Sequence, residues 1–225
     1  SIATTHTQAR YVLPDVVKEL RLRFPQVDVS LHQGSPEQVA AMLIDQSADV
    51  GLATEALTEF EDLVTLPCYE WEHVVVVPPD HPLATSHQPL TLEGLAKYPL
   101  VSYQPAFAGR RRVDQAFARA GLSPRVALEA IDADVIKTYV RSGMGVGIVA
   151  EMAVREADAL QGLICKPAGH LFGKNTTRLA FRRGVFIRNF VYEFAQLTSP
   201  HLTRAAIEAA FNMVANTHTP SSNAR

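Results

Sequence analysis

The sequence predicts a two-lobed α/β fold, on three observations. Short apolar or β-branched runs alternate with amphipathic stretches through residues 1–60, as in successive βαβ units. The same alternation restarts in the middle of the chain, after a stretch that favours strands. The elements that come after this second α/β part are too few to form a domain alone, so we expect the chain to return and complete the first lobe.

The first lobe is predicted to contain two β-α-β crossovers. A strand at Ser1 to Thr4 precedes a helix whose apolar side chains share one face: Leu13, Val16, Val17, Leu20 and Phe24. Pro25 ends this helix, and Val27 to His32 follows as a strand. Ser35 as N-cap and Pro36 at the first helical position open a second helix. A third strand at Asp49 to Ala53 completes the pattern, with right-handed crossovers expected.

The second lobe is predicted over 69–171, and the first over 1–68 together with 172–225, with hinge crossings near residues 68 and 170. Leu63 to Pro78 favours a strand pair, because it contains the continuous run Val74 to Val77. The elements predicted downstream are a helix at Thr91 to Tyr98, a strand at Leu100 to Tyr103, a helix at Arg112 to Ala120, a strand at Val126 to Ala130, a helix at Ala133 to Arg141, strands at Val146 to Val149, Leu163 to Lys166 and Thr177 to Phe181, and a helix at Phe186 to Leu197. The polar segment 217–225 is expected to be frayed.

Composition excludes several classes of protein. A formal net charge of −2 lacks the positive excess of a nucleic-acid-binding surface, so this chain alone is expected to bind DNA poorly. The run Arg110 to Arg112 is interpreted as a solvated helix start or a partner-facing patch. No apolar run reaches the roughly 18–20 residues of a membrane span, and the first residues do not resemble a signal peptide. We therefore expect a cytoplasmic protein without membrane contact. Cys68 and Cys165 are expected to be free thiols.

Polar residues follow the ends of the predicted strands in the first lobe. Thr4 to Gln8 lies between the first strand and the first helix, Ser35 stands at the next junction, and Thr54 ends the third strand. In an open parallel sheet the ligand crevice lies at the carboxyl ends of strands, where helix N-termini present unpaired N–H groups. Neutral hydroxyl and amide groups there suit a small anion or zwitterion. The ligand contacts predicted in this lobe are Thr5, Thr7, Gln8, Ser35 and Thr54.

Each of these residues also has a purely structural interpretation, since serine and threonine at such junctions are ordinary N-caps, Ser35 most clearly. No catalytic residue, metal site or cofactor is predicted. The stretch Gly143 to Gly147 lies between a helix and a strand, and is interpreted as a helix C-cap and turn instead of a phosphate loop. Asp132 and Asp134 favour the start of a helix. Two other classes stay open: a transport-type solute receptor, which would need export, and an enzyme on the same fold, which would need a proton-transfer group in the cleft.

Several motifs resemble the effector-binding domain of LysR-type transcriptional regulators of the CysB-like kind, which serve sulfur assimilation and cysteine biosynthesis. The resemblance covers residues 1 to about 205. Its motifs are Thr4 to Tyr11, Gln33 to Pro36, Ala53 to Leu57, Leu66 to Tyr69, Asp80 to Leu83, Asp132 to Val140 and Gly143 to Gly147. It implies two Rossmann-like lobes of the periplasmic-binding-protein-like type 2 fold, with an effector in the cleft between them.

The resemblance also implies what is bound. The effector would be a sulfate-like anion, thiosulfate or an acetylserine-type inducer, held by Thr5, Thr7, Gln8 and Thr54. The family has a further threonine in the loop after the strand at Leu100 to Tyr103, where this sequence has Ala108. Loss of a hydroxyl that bonds the ligand is worth about 1–3 kcal/mol, so the ligand is expected to differ from that of other members. Ser102 is the residue expected to compensate, together with Gln104.

The resemblance further implies the partners of a longer protein. The family places a helix-turn-helix DNA-binding domain and a linker helix before this domain, and we expect DNA recognition to belong to that part, which is absent from this sequence. The effector domain would take part in a homodimer or homotetramer and act allosterically on transcription, with RNA polymerase as a partner of the full-length regulator.

Overall fold

The computed structural model describes residues 1–155, 160 and 162–216 of the chain. The polar segment 217–225, predicted to be frayed, lies outside the described residues. None of the helices within the described ranges is both long and apolar enough to cross a membrane.

Strands and helices alternate along these residues. The nine β-strands found in the described ranges are β1 (Ile2–Thr4), β2 (Leu31–Gln33), β3 (Val50–Thr54), β4 (Leu63–Val77), β5 (Leu100–Tyr103), β6 (Val126–Ala130), β7 (Val146–Ala150), β8 (Ile164–Pro167) and β9 (Lys174–Arg182). The α-helices are α1 (His6–Tyr11), α2 (Leu13–Arg23), α3 (Pro36–Ile44), α4 (Pro82–Thr85), α5 (Leu92–Leu95), α6 (Ala108–Arg119), α7 (Ala133–Arg141), α8 (Gly169–Phe172), α9 (Asn189–Thr198) and α10 (Arg204–Asn216). Short 3-10 helices occupy Glu55–Glu59 and Glu151–Val154.

Internal contacts divide the chain into two units. Unit 1 consists of Ser1–Thr5, Val12–Tyr69 and the chain from Thr177 on. Unit 2 consists of His6–Tyr11 and Glu70–Thr176. The predicted lobes differ from these units chiefly at α1, which the prediction gave to lobe I and the structure groups with unit 2. The chain passes between the units after Thr5 and Tyr11 and within β4 and β9.

Unit 1 is built on a sheet in the order β2, β1, β3, β9. β1 runs parallel to β2 and β3, and β3 runs antiparallel to β9. α2 buries Leu13, Val16 and Leu20 against this sheet, which confirms the predicted apolar stripe. The strand predicted at Val27 to His32 is present as β2, but its bounds are wrong: only Leu31–Gln33 pair with β1, and their side chains are exposed at the edge of the sheet.

β4 is a single strand of 15 residues, so the predicted strand pair over Leu63 to Pro78 is wrong. The strand continues through Pro67 and runs from unit 1 into unit 2. Its run Val74 to Val77 is buried, as the sequence predicted, and it pairs with β7 on one side and β8 on the other. Central position in the sheet explains the unbroken apolar run.

The sheet of unit 2 has the order β4, β7, β5, β6, with β8 on the other side of β4. Side chains of a strand alternate between faces. Val74 and Val76 accordingly pack with α7, while Val75 and Val77 pack with α6. The bounds predicted for β5, β6 and α7 are confirmed. α6 begins at Ala108 and not at the predicted Arg112.

The glycine-rich stretch after α7 is a helix C-cap and turn, as predicted. Gly143 has a φ of 82°, and its N–H donates to the Val140 carbonyl at 3.0 Å. Gly145 has a φ of 154°, and a Cβ on it would lie 2.1 Å from the backbone oxygen of Pro99. The backbone therefore passes too close to Pro99 for any side chain at residue 145.

Alanine substitution should destabilise the protein to different degrees at these two glycines. We expect Gly143→Ala to lower the free energy of unfolding by about 1–2 kcal/mol, because a Cβ there meets no atom and only the left-handed conformation is penalised. Gly145→Ala should cost at least about 3 kcal/mol, since the Pro99 backbone would have to move. Urea unfolding of both variants measures the difference. Equal losses would contradict the close approach at Gly145.

Candidate functional site

Unit 1 places the ends of two parallel strands side by side. Thr4 of β1 is in register with Leu52 of β3, and Thr4 Oγ1 donates a hydrogen bond of 2.8 Å to the Leu52 carbonyl. Thr5 follows directly and is also buried. Thr4, which the sequence did not predict among the ligand contacts, therefore has a structural role: it joins the two strand ends beside Thr5.

Thr54 ends β3 with a hydroxyl that is not used internally. Thr54 is 7% exposed, and its Oγ1 has no hydrogen-bond partner among the residues that the structure describes. The side chain does not cap the 3-10 helix that follows. A buried hydroxyl without a partner costs about 1–3 kcal/mol. A ligand atom that hydrogen-bonded with Thr54 would remove this cost.

Ser35 is the N-cap that the sequence predicted. Its hydroxyl accepts a hydrogen bond of 3.3 Å from the N–H of Gln38, and Gln38 Oε1 accepts one of 2.8 Å from the N–H of Ser35. This reciprocal capping box opens α3. Ser35 remains a predicted ligand contact whose hydroxyl already serves the helix.

Thr7 and Gln8 lie on α1 and belong to unit 2. The side chain of Gln8 is buried, and the hydroxyl of Thr7 is hydrogen-bonded with Tyr103. Tyr103 Oη also accepts a hydrogen bond of 3.2 Å from the N–H of Ala150. Burial raises the pKa of Tyr103 to about 12, so the phenol is neutral. Tyr103 was not among the predicted site residues, although its place at the carboxyl end of β5 was a usable signal.

Ala108 is the first residue of α6. The N-cap residue Phe107 makes no side-chain hydrogen bond to the helix, and no acidic residue stands in the first turn. The first N–H groups of a helix have no partner inside it and carry partial positive charge. Ala108 therefore offers no hydroxyl, but it begins a helix N-terminus suited to an anion.

Arg110 is not the solvated residue that the sequence predicted. It is buried, and its guanidinium donates to the Tyr103 carbonyl at 2.7 Å, to Asp114 at 2.8 Å and to Glu129 at 2.9 Å. These partners compensate its charge and join the start of α6 to β5 and β6.

Ser102 presents a second buried hydroxyl, on β5. The residue is 1% exposed, and Oγ has no hydrogen-bond partner in the described part of the chain. Ser102 lines a pocket of about 260 Å³ together with Arg110 and apolar residues of α6. Thr7 and Gln8 are not among the residues that line this pocket, so a ligand contact shared by Ser102 and α1 stays a prediction.

Acidic residues at the start of α7 have structural partners. Asp132 accepts a hydrogen bond of 2.8 Å from the N–H of Val135, which confirms the predicted N-cap. His6, Asp132 and Asp134 bring possible metal-ligand atoms within 4.8 Å of one another. Asp134, however, is already paired with Lys137 at 3.1 Å and Arg10 at 3.5 Å, so its negative charge is compensated within the protein. Cys68 and Cys165 are free thiols, as expected.

A model of the LysR substrate binding domain family matches residues 1–203. This chain belongs to that family. This LysR substrate-binding domain has relatives along most of its length. The transcriptional regulator CysB of Burkholderia cenocepacia is 54% identical over 93% of this chain and 66% of its own length. The regulator SsuR of the same organism is 50% identical over 92% and 66%, and the regulator cbl of Escherichia coli is 47% identical over 90% and 64%. The chain thus spans about two thirds of the length of these relatives, or slightly less.

Solved structures agree on the fold. The cofactor-binding domain of the Cbl transcriptional regulator superposes with a TM-score of 0.87 at 45% identity, over 95% of this chain and 91% of that one. The effector-binding domain of QuiR in complex with shikimate has a TM-score of 0.75 at 18% identity, over 89% and 94%, and shares the fold alone. The two-lobed α/β architecture of the periplasmic-binding-protein-like type 2 fold, predicted from the sequence, is confirmed.

His73 of this LysR substrate-binding domain should make folding sensitive to acid. The side chain is fully buried on β4 beneath α6, and burial, followed by the nearby charge of Arg112, lowers its pKa from 6.5 to about 4. The unfolded chain therefore binds a proton below about pH 6.5 that the folded domain does not bind until about pH 4. The contribution of neutral His73 to the free energy of unfolding is fully present above pH 6.5. It falls by about 3 kcal/mol as the pH is lowered from 6.5 to about 4.

Urea unfolding between pH 7 and pH 4 checks this expectation, with His73→Gln as the variant that cannot titrate. The difference in free energy of unfolding between wild type and variant should shrink as the pH falls. A difference that does not change with pH would contradict the buried neutral histidine.

Proposed function

We propose that this chain is the effector-sensing domain of a LysR-type transcriptional regulator of sulfur and cysteine metabolism genes. The observation that carries this proposal is the set of relatives named CysB, SsuR and cbl, which are 47–54% identical over at least 90% of the chain. The effector is a small anionic or zwitterionic sulfur-related metabolite, of the sulfate, thiosulfate or acetylserine type.

The chemistry of the predicted contacts supports such a ligand. Thr5, Thr7 and Thr54 supply hydroxyls and Gln8 an amide, all of them neutral groups that bind the oxygens of an anion. The unused hydroxyl of Thr54 gains a partner when the ligand binds. Without a lysine or arginine among these contacts, the ligand's charge is compensated by hydrogen bonds and helix N-termini. These groups carry only partial positive charge, so they favour a ligand of low net negative charge.

Ala108 sets this domain apart from the family pattern. The hydroxyl that the family threonine supplies is missing, but the N–H groups at the start of α6 remain. A ligand whose binding depends on a side-chain hydroxyl at this position would lose about 1–3 kcal/mol, or about fivefold to 150-fold in affinity. We therefore propose an effector that needs fewer hydrogen bonds to its oxygens beside Ala108 than a sulfate ion with a hydrogen bond to every oxygen.

Sensing requires that the effector bind two states of the protein with different affinity. In the full-length regulator these states would differ in how the protein engages DNA, through the helix-turn-helix domain, and RNA polymerase. We propose that the regulator is a cytoplasmic homodimer or homotetramer and that this domain performs no catalysis. The effector is bound and released unchanged.

Isothermal titration calorimetry with sulfate, thiosulfate, acetylserine and adenosine phosphosulfate tests the proposal. We expect at least one of these compounds to bind the wild-type domain. Thr7→Ala and Thr54→Val should each weaken its affinity by about tenfold, the value of one hydrogen bond. The matched controls are Thr138→Ala on α7 and Thr58→Val, since both threonines are exposed.

Two results would overturn the proposal. One is that none of the four compounds binds the wild-type domain. The other is that the site variants and the control variants bind the whole set with equal affinity, which would place the ligand elsewhere.

A further inference from the structure

We infer that Tyr11 and Lys137 are positioning residues: a hydrogen-bonded cluster of the buried Lys137 with the partly buried Tyr11 and Asp134 fixes α1 on unit 2 and thereby sets where Thr7 and Gln8 present their polar groups. The functional part of this inference rests on the proposed effector contacts of Thr7 and Gln8.

Lys137 is a charged residue buried within unit 2, only 2% exposed. Its ammonium group donates to the carbonyl of Ala153 at 2.9 Å and to Tyr11 Oη at 3.2 Å, and it lies 3.1 Å from Asp134 Oδ1. An ammonium group has three donors, and each has an acceptor here. Lys137 therefore joins three elements: α1, α7 and the 3-10 helix that follows β7.

Tyr11 completes the cluster from α1. Its hydroxyl donates a hydrogen bond of 2.8 Å to Asp134 Oδ1, and its ring packs against the apolar cluster beneath α7. Burial and the bond to Asp134 raise the pKa of Tyr11, so the phenol keeps its proton and remains a donor. Burial opposes ionisation of Asp134, but the bonds from Tyr11 and Lys137 more than offset it and lower the pKa of that carboxyl. Tyr11 therefore keeps its proton and Asp134 is ionised, so the hydrogen bond between them has one direction, from the phenol to the carboxylate.

α1 needs an external support of this kind. It has six residues, and isolated helices shorter than about 12–15 residues are marginal in water. Tyr11 comes one helical turn after Thr7 and Gln8, so these side chains share a face of α1. A displacement of Tyr11 would move the Thr7 hydroxyl relative to Tyr103, its partner on β5.

The cluster is better explained by positioning than by stability. Lys137 is buried while the side chain of Asp134 is 40% exposed, and a buried charge often contributes less to stability than an apolar residue that could replace it, because removing the charge from water is costly. Two apolar side chains at positions 11 and 137 would hold α1 against unit 2, but apolar contacts are not directional and would not specify one orientation of the helix. Hydrogen bonds with fixed donors and acceptors instead specify one orientation of the helix.

Amide hydrogen exchange measured by NMR on the ligand-free domain tests the positioning role. Tyr11→Phe removes one hydroxyl and keeps the ring, and Lys137→Met removes the charge and keeps most of the side chain. In both variants the backbone amides of positions 10 and 11 should exchange at least about tenfold faster, while amides of β5 and β7 keep their wild-type protection.

Two control variants distinguish positioning from general loss of stability. Tyr98→Phe removes a hydroxyl from unit 2 outside the cluster. Phe117→Leu weakens the α6 side of the core. Neither should accelerate exchange in α1 beyond its effect on the rest of unit 2. The compound that binds the wild-type domain best among sulfate, thiosulfate, acetylserine and adenosine phosphosulfate should bind Tyr11→Phe and Lys137→Met about tenfold more weakly, and the controls with unchanged affinity.

The outcomes are separable. Unchanged exchange in α1 of both cluster variants would overturn the positioning role. Faster exchange with unchanged affinity would overturn its link to the ligand. If wild type binds none of the compounds, the proposed function fails, while faster exchange confined to α1 still supports the positioning of the helix by Tyr11 and Lys137.

Discussion

Parallel pairing of β1 with β2 and β3 is the constraint on which the rest of unit 1 depends. The register of Thr4 with Leu52 brings two carboxyl ends to one edge, and the Thr4 hydroxyl bonds across them. Consecutive parallel strands must be joined by crossover connections that contain helices. Each connection begins at the carboxyl end of a strand, and these ends all lie at the same edge of the sheet. Thr5, Ser35 and Thr54 lie at this edge because the backbone leaves no other place for the three junctions.

The hydroxyls at these positions divide into two groups by what they bond. Thr4 and Ser35 have partners within the fold, the Leu52 carbonyl and the Gln38 amide. The buried hydroxyls of Thr54 and Ser102 have none among the described residues. Buried polar groups are nearly always hydrogen-bonded, so such exceptions point to a ligand or to water. Thr54 combines this property with a place at the strand ends, which makes it the strongest single candidate for contact with an effector.

Local signals made much of the fold predictable, while one miss, the extent of β4, depends on non-local packing and another, α10, does not. The stripe on α2, the N-cap at Ser35 and the turn at Gly143 follow from neighbouring residues, and each is confirmed. The extension of β4 through Pro67 depends on its strand neighbours, and α10 was missed although its alanines favour a helix. Of the candidate site, the junction residues were predictable from spacing. Tyr103 could have been considered because it ends a parallel strand, but its bond with Thr7, and the bond of Lys137 with Tyr11, join residues far apart in sequence and follow only from the fold.

Binding of a sulfur-related anion at the strand ends can be tested most directly by NMR of isotope-labelled threonine methyl groups during titration with sulfate, thiosulfate and acetylserine. Contact with the predicted residues would shift the methyl signals of Thr5, Thr7 and Thr54 in a saturable manner, and leave those of the exposed Thr58 and Thr138 in place. Saturable shifts confined to other threonines, or no shift with any of the compounds, would contradict the proposed site.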